Sequence, residues 1–246
     1  MTYKMRWNMV TFKLTRIDMT RLLYSLKGEG DLTPLQLLNL SVKSDKEHEY
    51  DELKIPSFFE KLERRKQKSE HGLSTNEIVE LGNLCELTSL KSTAIQNWIK
   101  RDIKDMIGHP ELGKKYSIDQ VVILLIVRDL KSVFDFDSIR TILSALFNTI
   151  TDRTDDIISP IRFYEAYAHV LDFIYHHTHF PLKETNLREM TEVQTDKLHE
   201  EFTELTKPQW HLIKGIISST VFSVFTSHLQ STAQEMMLNT LQLKKA

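Results

Sequence analysis

Thiol chemistry is almost missing from this chain, which carries one cysteine, Cys85, in 246 residues. A single cysteine excludes an intramolecular disulfide and any metal site needing several thiolates from one chain, and it fits a reducing compartment. Turn-forming residues are scarce as well, with 7 glycines and 6 prolines. Few runs alternate Val, Ile, Thr and Tyr, so the shortage argues for long helices over many short strands. The expected fold class is mainly α. The longest apolar run, Val121–Val127, has seven residues, against the roughly 20 that cross a bilayer. The amino terminus lacks a basic segment followed by an apolar stretch and a small-residue cleavage site. The sequence therefore predicts a cytoplasmic protein with no membrane span. It also lacks a P-loop, a GxGxxG, a nucleophile elbow and an HExxH, so nothing in it supports an enzyme, a cofactor or a catalytic residue.

Apolar residues make up 41% of the chain and charged residues 27%, ordinary values for a globular protein with a real core. The net charge of −2 gives no nucleic-acid signal for the chain as a whole. The local balance does. Between Lys91 and Lys115, six basic residues (Lys91, Lys100, Arg101, Lys104, Lys114, Lys115) oppose three acidic ones (Asp102, Asp105, Glu111). An acidic stretch over 181–206 offsets that excess elsewhere. Such asymmetry suits a polyanion-binding face on a solubilised body, and equally a solvated charged face.

Helix punctuation is clearest in the same region. Ser74 and Glu77 have capping-box spacing ahead of Ile78, Leu81 and Leu84, so each side chain can satisfy a free N–H of the first turn. A connector of roughly Leu87 to Lys91 leads to Ser92 or Thr93 as the next N-cap. Ile95, Trp98 and Ile99 then form an apolar stripe, leaving Gln96, Asn97, Lys100 and Arg101 on the other face. Gly108, Pro110 and Gly113 break the chain as a compact hairpin or wing would. Ser117 and Gln120 make a second capping box, and Asp135 caps a further helix.

The flanks also read as helical. Leu22, Leu23 and Leu26, then Leu32, Leu35, Leu38 and Leu40, mark two short amphipathic helices, followed by a polar linker over 41–51. A helix starting at Pro160 should run to about His177, another should start at Thr195, and a third from the Thr206–Gln209 capping box to beyond Met236. The expected divisions are an N-terminal helical extension, 1–54, a helix-turn-helix domain, 55–146, and a helical dimerisation or sensing region, 147–246.

In a helix-turn-helix two helices brace each other through an apolar seam, leaving the second free to enter the major groove. Ile78, Leu81, Ile95, Trp98 and Ile99 can supply that seam. Gln96 and Asn97 suit base edges, while Lys91, Thr93, Lys100, Arg101, Lys104, Lys114, Lys115 and Tyr116 suit the phosphate backbone and the wing. Three strings match a known pattern: Ser74-Thr75-Asn76-Glu77-Ile78 at a first helix, Thr93-Ala94-Ile95-Gln96-Asn97-Trp98 at a recognition helix, and Lys115-Tyr116-Ser117 at a wing end. Phe136-Asp137-Ser138-Ile139-Arg140-Thr141-Ile142-Leu143 supplies the helix after them. Over Leu73 to Leu146 they resemble the DNA-binding domain of MerR-like regulators. More narrowly, about Ile55 to Ala168 is similar to a MerR-like bacterial family of unknown function. That resemblance implies a winged helix-turn-helix with a small β wing, double-stranded DNA as partner and a regulator of transcription. The usual tyrosine pair is Asn97-Trp98 here, so phosphate contacts by those tyrosines do not carry over. A palindromic operator calls for a two-fold dimer, with the aromatic C-terminal helix as its expected interface.

Two other readings stay open. The fold can serve as a protein–protein interaction module without DNA. His169, His176 and His179 can be read as metal ligands, against the plainer reading that they cap a helix end and shield its aromatics.

Overall fold

In the computed structural model the chain is described over residues 13–44, 55–63, 69–86, 89–148, 154–177 and 184–243. Its centre is a helix buried on every side, α7 (Ile118–Leu130). Val121–Val127, too short to span a bilayer, fills this place: each of its side chains is buried, as expected of a helix that is apolar all round. The second capping box forms as read, with Ser117 accepting from the Gln120 N–H and Gln120 from the Ser117 N–H. Glu70 adds a third acceptor, taking the Ile118 N–H at 2.6 Å.

Before α7 come α1 (Arg16–Leu26), α2 (Pro34–Ser44), α3 (Phe58–Glu63), α4 (Thr75–Gly82), α5 (Ser92–Asn97) and α6 (Lys104–Ile107). After it come α8 (Phe136–Phe147), α9 (Pro160–His177), α10 (Glu184–Lys197) and α11 (Lys207–Leu243). The described residues are thus mainly helical and contain no strand longer than an isolated bridge. Helices α1, α9 and α11 pack around α7, with α10 against α9 and α11, and α2 against α1 and α3. One continuous core runs from Leu14 to Val224. It crosses both boundaries expected from the sequence, at 54/55 and 146/147.

Inside this core sits an ion pair. The Arg16 guanidinium of α1 donates to both carboxylate oxygens of Asp129 on α7, at 2.9 and 3.2 Å, with side-chain exposures of 2% and 3%. The Tyr167 hydroxyl of α9 donates to the same carboxylate at 2.9 Å, and Arg16 also donates to the Glu86 carbonyl at 3.3 Å. Tyr164 lies 3.6 Å from the Cys85 sulfur. Burial pushes both tyrosine hydroxyls well above their ordinary pKa, so they stay protonated. Ser223 of α11 completes the network by donating to the Asp129 carbonyl at 2.5 Å.

Local signals predicted most helix starts. Asp135 caps α8, accepting from the Ser138 N–H, and α9 spans Pro160–His177 as expected. Thr195 starts no helix: it lies buried near the end of α10 and donates back to the Thr191 carbonyl at 2.7 Å. Residues 41–44 belong to α2, and most of the expected linker lies outside the described residues. At Thr206 only half of the third capping box forms. Its N–H and its hydroxyl both donate to Gln209 Oε1, at 3.0 and 2.7 Å.

Among the described helices α11 is long and apolar enough to cross a membrane by length and composition alone, a test that a core helix also passes. Its polar members include Ser218, Ser219, Thr220, Ser223, Thr226 and Ser227, which interrupt a run of apolar letters without adding charge. Of the most apolar part of this helix, 44% is buried within the protein.

This packing has measurable consequences for stability. Asp129→Ala leaves Arg16 charged and unpartnered in the core, so urea unfolding should show a loss of about 3–5 kcal/mol. The joint change Arg16→Met with Asp129→Leu should recover most of it; equal losses from both would contradict the buried-charge account. At the end of α4, a Cβ on Gly82 would sit 2.2 Å from Leu90 Cδ1 and 3.2 Å from Leu125 Cδ2. Gly82→Ala should therefore cost about 1–3 kcal/mol through overpacking, outweighing the roughly 1 kcal/mol gained in helix propensity. A stabilised variant would mean that Leu90 swings clear.

Candidate nucleic-acid interface

Helix α4 opens with the Ser74–Glu77 capping box, both halves formed, and ends at Gly82, before Leu84. The connector to α5 is consequently longer than the sequence suggests. Asn83 holds it, donating to the Leu90 carbonyl at 3.0 Å and accepting from the Leu90 N–H at 2.7 Å. Lys91 occupies the N-cap of α5 and makes no side-chain capping bond there. Ser92, expected as a cap, sits in the first turn and donates to Asn76 Oδ1 at 3.1 Å, bridging the two helices.

The apolar seam is as read: Ile78, Leu81, Ile95 and Trp98 are buried, and Ile99 is half-buried. The conformation of the next turn was not legible in the sequence. Past Asn97 the helix widens into a π-helical turn, Trp98–Asp102, where the Ile103 N–H donates to the Trp98 carbonyl at 2.9 Å. In an α-helix, side chains five positions apart point in directions about 140° apart. The i→i+5 bond brings them onto nearly the same side. Trp98 and Ile103 can thus both face the core, while Lys100 and Arg101 are exposed.

Helix α8 supports this turn from behind. Phe136 meets Trp98 edge to face, with ring centroids 6.3 Å apart, and Lys131 lies 4.3 Å over the Phe136 ring. Arg140 donates to the Asp102 carbonyl and to Asp137 at 2.7 Å, and its Nε lies 3.6 Å from Asp105. Downstream, the loop is tied to α7 by Gln120, a fully buried residue read from the sequence only as a cap. Its Nε2 donates to the carbonyls of Ile107 and His109, both at 2.7 Å, and its Oε1 also accepts from the Glu111 N–H at 3.3 Å.

The expected β wing is absent as strands. In its place, single antiparallel bridges join Leu112 to Lys115 and Leu73 to Tyr116. Gly113 takes a φ of +70° at the first central position of the two-residue turn, the pattern of a type II′ hairpin. Lys114 is the exposed tip.

Of the ten residues selected from the sequence, Lys91, Thr93, Gln96, Asn97, Lys100, Arg101, Lys104 and Lys114 are exposed. None of the five cations among them is held in an ion pair by another described residue. Lys115 and Tyr116 are half-buried. Lys115 is committed to Glu77, donating to its two oxygens at 2.9 and 3.1 Å. Burial raises the Glu77 pKa, but the Ser74 N–H and the Lys115 ammonium outweigh it, so the carboxyl lies below its ordinary value. Tyr116 contributes its backbone to the bridge with Leu73, through two bonds of 2.9 Å.

His176 and His177 donate through Nδ1 to the carbonyls of Asp172 and Phe173, both at 2.8 Å, and His177 stacks on Phe173. His169 is exposed, and His179 lies outside the described residues. The described residues contain no group of three or more His, Cys, Asp or Glu suited to a metal ion.

Comparison with known proteins places residues 55–167 in a domain of unknown function, DUF1836. The chain is 61% identical over 225 residues to the uncharacterized protein YkrK of Bacillus subtilis (strain 168), a match covering 92% of this chain and 97% of that protein. No solved structure matches the chain. These matches overturn the resemblance to MerR-like regulators. The strings that suggested it are caps and a seam that any braced helix pair can spell, and the tyrosine pair and the wing strands both differ here. The chain belongs to the same family as YkrK, and its residues 55–167 match the domain of unknown function.

Proposed function

We propose that the chain binds duplex DNA through α5 and its π-helical turn, as a dimeric regulator of transcription. In this reading α4 and α5 act as a helix-turn-helix and the Gly113–Lys114 hairpin as its wing. The supporting observation is one outward surface on which Gln96, Asn97, Lys100 and Arg101 are exposed, with Lys91, Lys104 and Lys114 exposed on neighbouring turns. Amide side chains can hydrogen-bond base edges, and unpaired cations can contact phosphates. Lys115, engaged by Glu77, is assigned no phosphate.

Dimerisation is assigned to the end of α11. From Thr220 to His228 its side chains are buried or half-buried, and beyond that point the described ones are exposed, including Leu229, Met236, Met237 and Leu238. Residues 228–243 make about 24 Å of helix at 1.5 Å per residue, enough to pair with a second copy about a two-fold axis.

Lys100→Ala with Arg101→Ala should weaken duplex binding across sequences and lower the slope of log K against log salt by about one unit per lost contact, so by about two. Gel shifts against the DNA upstream of its own coding sequence, at several salt concentrations, supply the readout. Salt-independent or undetectable binding by the unmodified protein would favour the protein–protein module instead. Light scattering after size exclusion should give a dimer at micromolar concentration, and Leu229→Glu with Met236→Glu should give a monomer. A monomeric unmodified protein removes the dimer.

A further inference from the structure

Opposite the buried side of α11, a cavity of about 540 Å³ opens between α10, α11 and the turn joining α7 to α8. Its volume falls within the roughly 300–1,000 Å³ of small-molecule sites. Space for it comes from Gly215, where a Cβ would meet nothing within 4 Å.

The lining is polarised along α11. His211 and Lys214 stand at one end, with Arg188 and Glu192 of α10 also in the lining, while Phe222, Val133 and Phe134 form an apolar end. His211 and Phe222 are eleven residues apart, about 16 Å along the axis. Lys214 donates to Asp196 at 2.5 Å and Arg188 to Glu192 at 2.9 Å, so both cations are held in place at the rim. Between the ends, the hydroxyls of Ser218, Ser219 and Thr226 donate to their own helix, at 3.0, 3.0 and 2.9 Å. Ser223 likewise donates to the end of α7. Donors for a ligand's anionic group are therefore concentrated at His211, Lys214 and Arg188. Lys214 and Arg188 are each already matched by a carboxylate, so an acid here is held by the further N–H donors of Lys214 and by His211 and not by an excess of positive charge.

We infer that this cavity is a binding site for an elongated amphipathic organic acid, its acidic group at Lys214 and His211 and its apolar body against Phe134 and Phe222. The site is independent of the DNA-binding reading, and its test uses no DNA. The fluorescent aryl sulfonate 8-anilinonaphthalene-1-sulfonate has the required chemistry. It should bind the full-length protein saturably at this site, and octanoate should displace it at least tenfold more effectively than octanol. Gly215→Leu places a side chain in the open space while favouring the helix. That variant should keep its far-ultraviolet circular dichroism and Tm and lose at least tenfold in affinity for the probe. Undiminished binding by a folded Gly215→Leu protein overturns the site. Equal displacement by octanol, or none by octanoate, overturns the assignment of an acid.

Discussion

One buried charge pair constrains how the core is assembled, because neither member can be buried without the other. Removing Arg16 and Asp129 from water is expensive, and in such a setting attraction alone repays the cost only with good geometry and further hydrogen bonds. Here the guanidinium reaches both carboxylate oxygens, Tyr167 donates to the same carboxylate, and the Glu86 carbonyl takes another guanidinium N–H. These bonds come from α1, α7, α9 and the connector after α4, so one cluster sets how four segments meet. The family match begins at residue 55. Taken alone, that segment would lack both the counter-charge of Asp129 and a helix that packs over it, so α1 is an integral part of the core.

From this fixed core the outward surface is placed by short couplings. Gln120, in the first turn of α7, spends all its hydrogen-bonding capacity on the loop after α6 and on its own cap. Arg140 takes the last carbonyl of the π-helical turn, and Phe136 takes the edge of Trp98. Side chains meant to recognise a partner work best on elements held this way, because little ordering remains to be done on binding. Gly82 serves the same end by letting the connector approach α7 closely.

Legibility in the sequence tracked the range of each interaction. Capping boxes at Ser74 and Ser117, the cap at Asp135 and the Pro160 start involve groups three residues apart, and their chemistry can be read off the letters. Arg16 and Asp129 are 113 positions apart, and Lys115 and Glu77 are 38 apart. No local pattern announces such pairings, and the second removed Lys115 from the phosphate candidates. The π-helical turn escaped because Trp98 and Ile103 both satisfy an ordinary helical spelling until their shared need for burial is known. Thr195 misled for a related reason: threonine caps helices, yet inside one it can return its hydroxyl to the carbonyl four residues back. The family resemblance failed on the same ground, since short capped segments recur in unrelated folds.

Electrostatics at the surface depends on which residue neutralises which. The chain carries a net charge of −2, and acidic residues lie within a few positions of most candidate cations. Those acids are largely engaged by groups other than the outward cations. Glu77 is held by Lys115, Asp137 and Asp105 by Arg140, and Glu111 accepts the Ser117 hydroxyl at 2.5 Å. Lys91, Lys100, Arg101, Lys104 and Lys114 are therefore left facing solvent. Within a Debye length of about 8 Å at physiological salt, a nearby polyanion meets that local excess before it meets the slightly acidic average. An overall charge near zero is thus no argument against a cationic contact surface, provided the neutralising pairs are built from other residues.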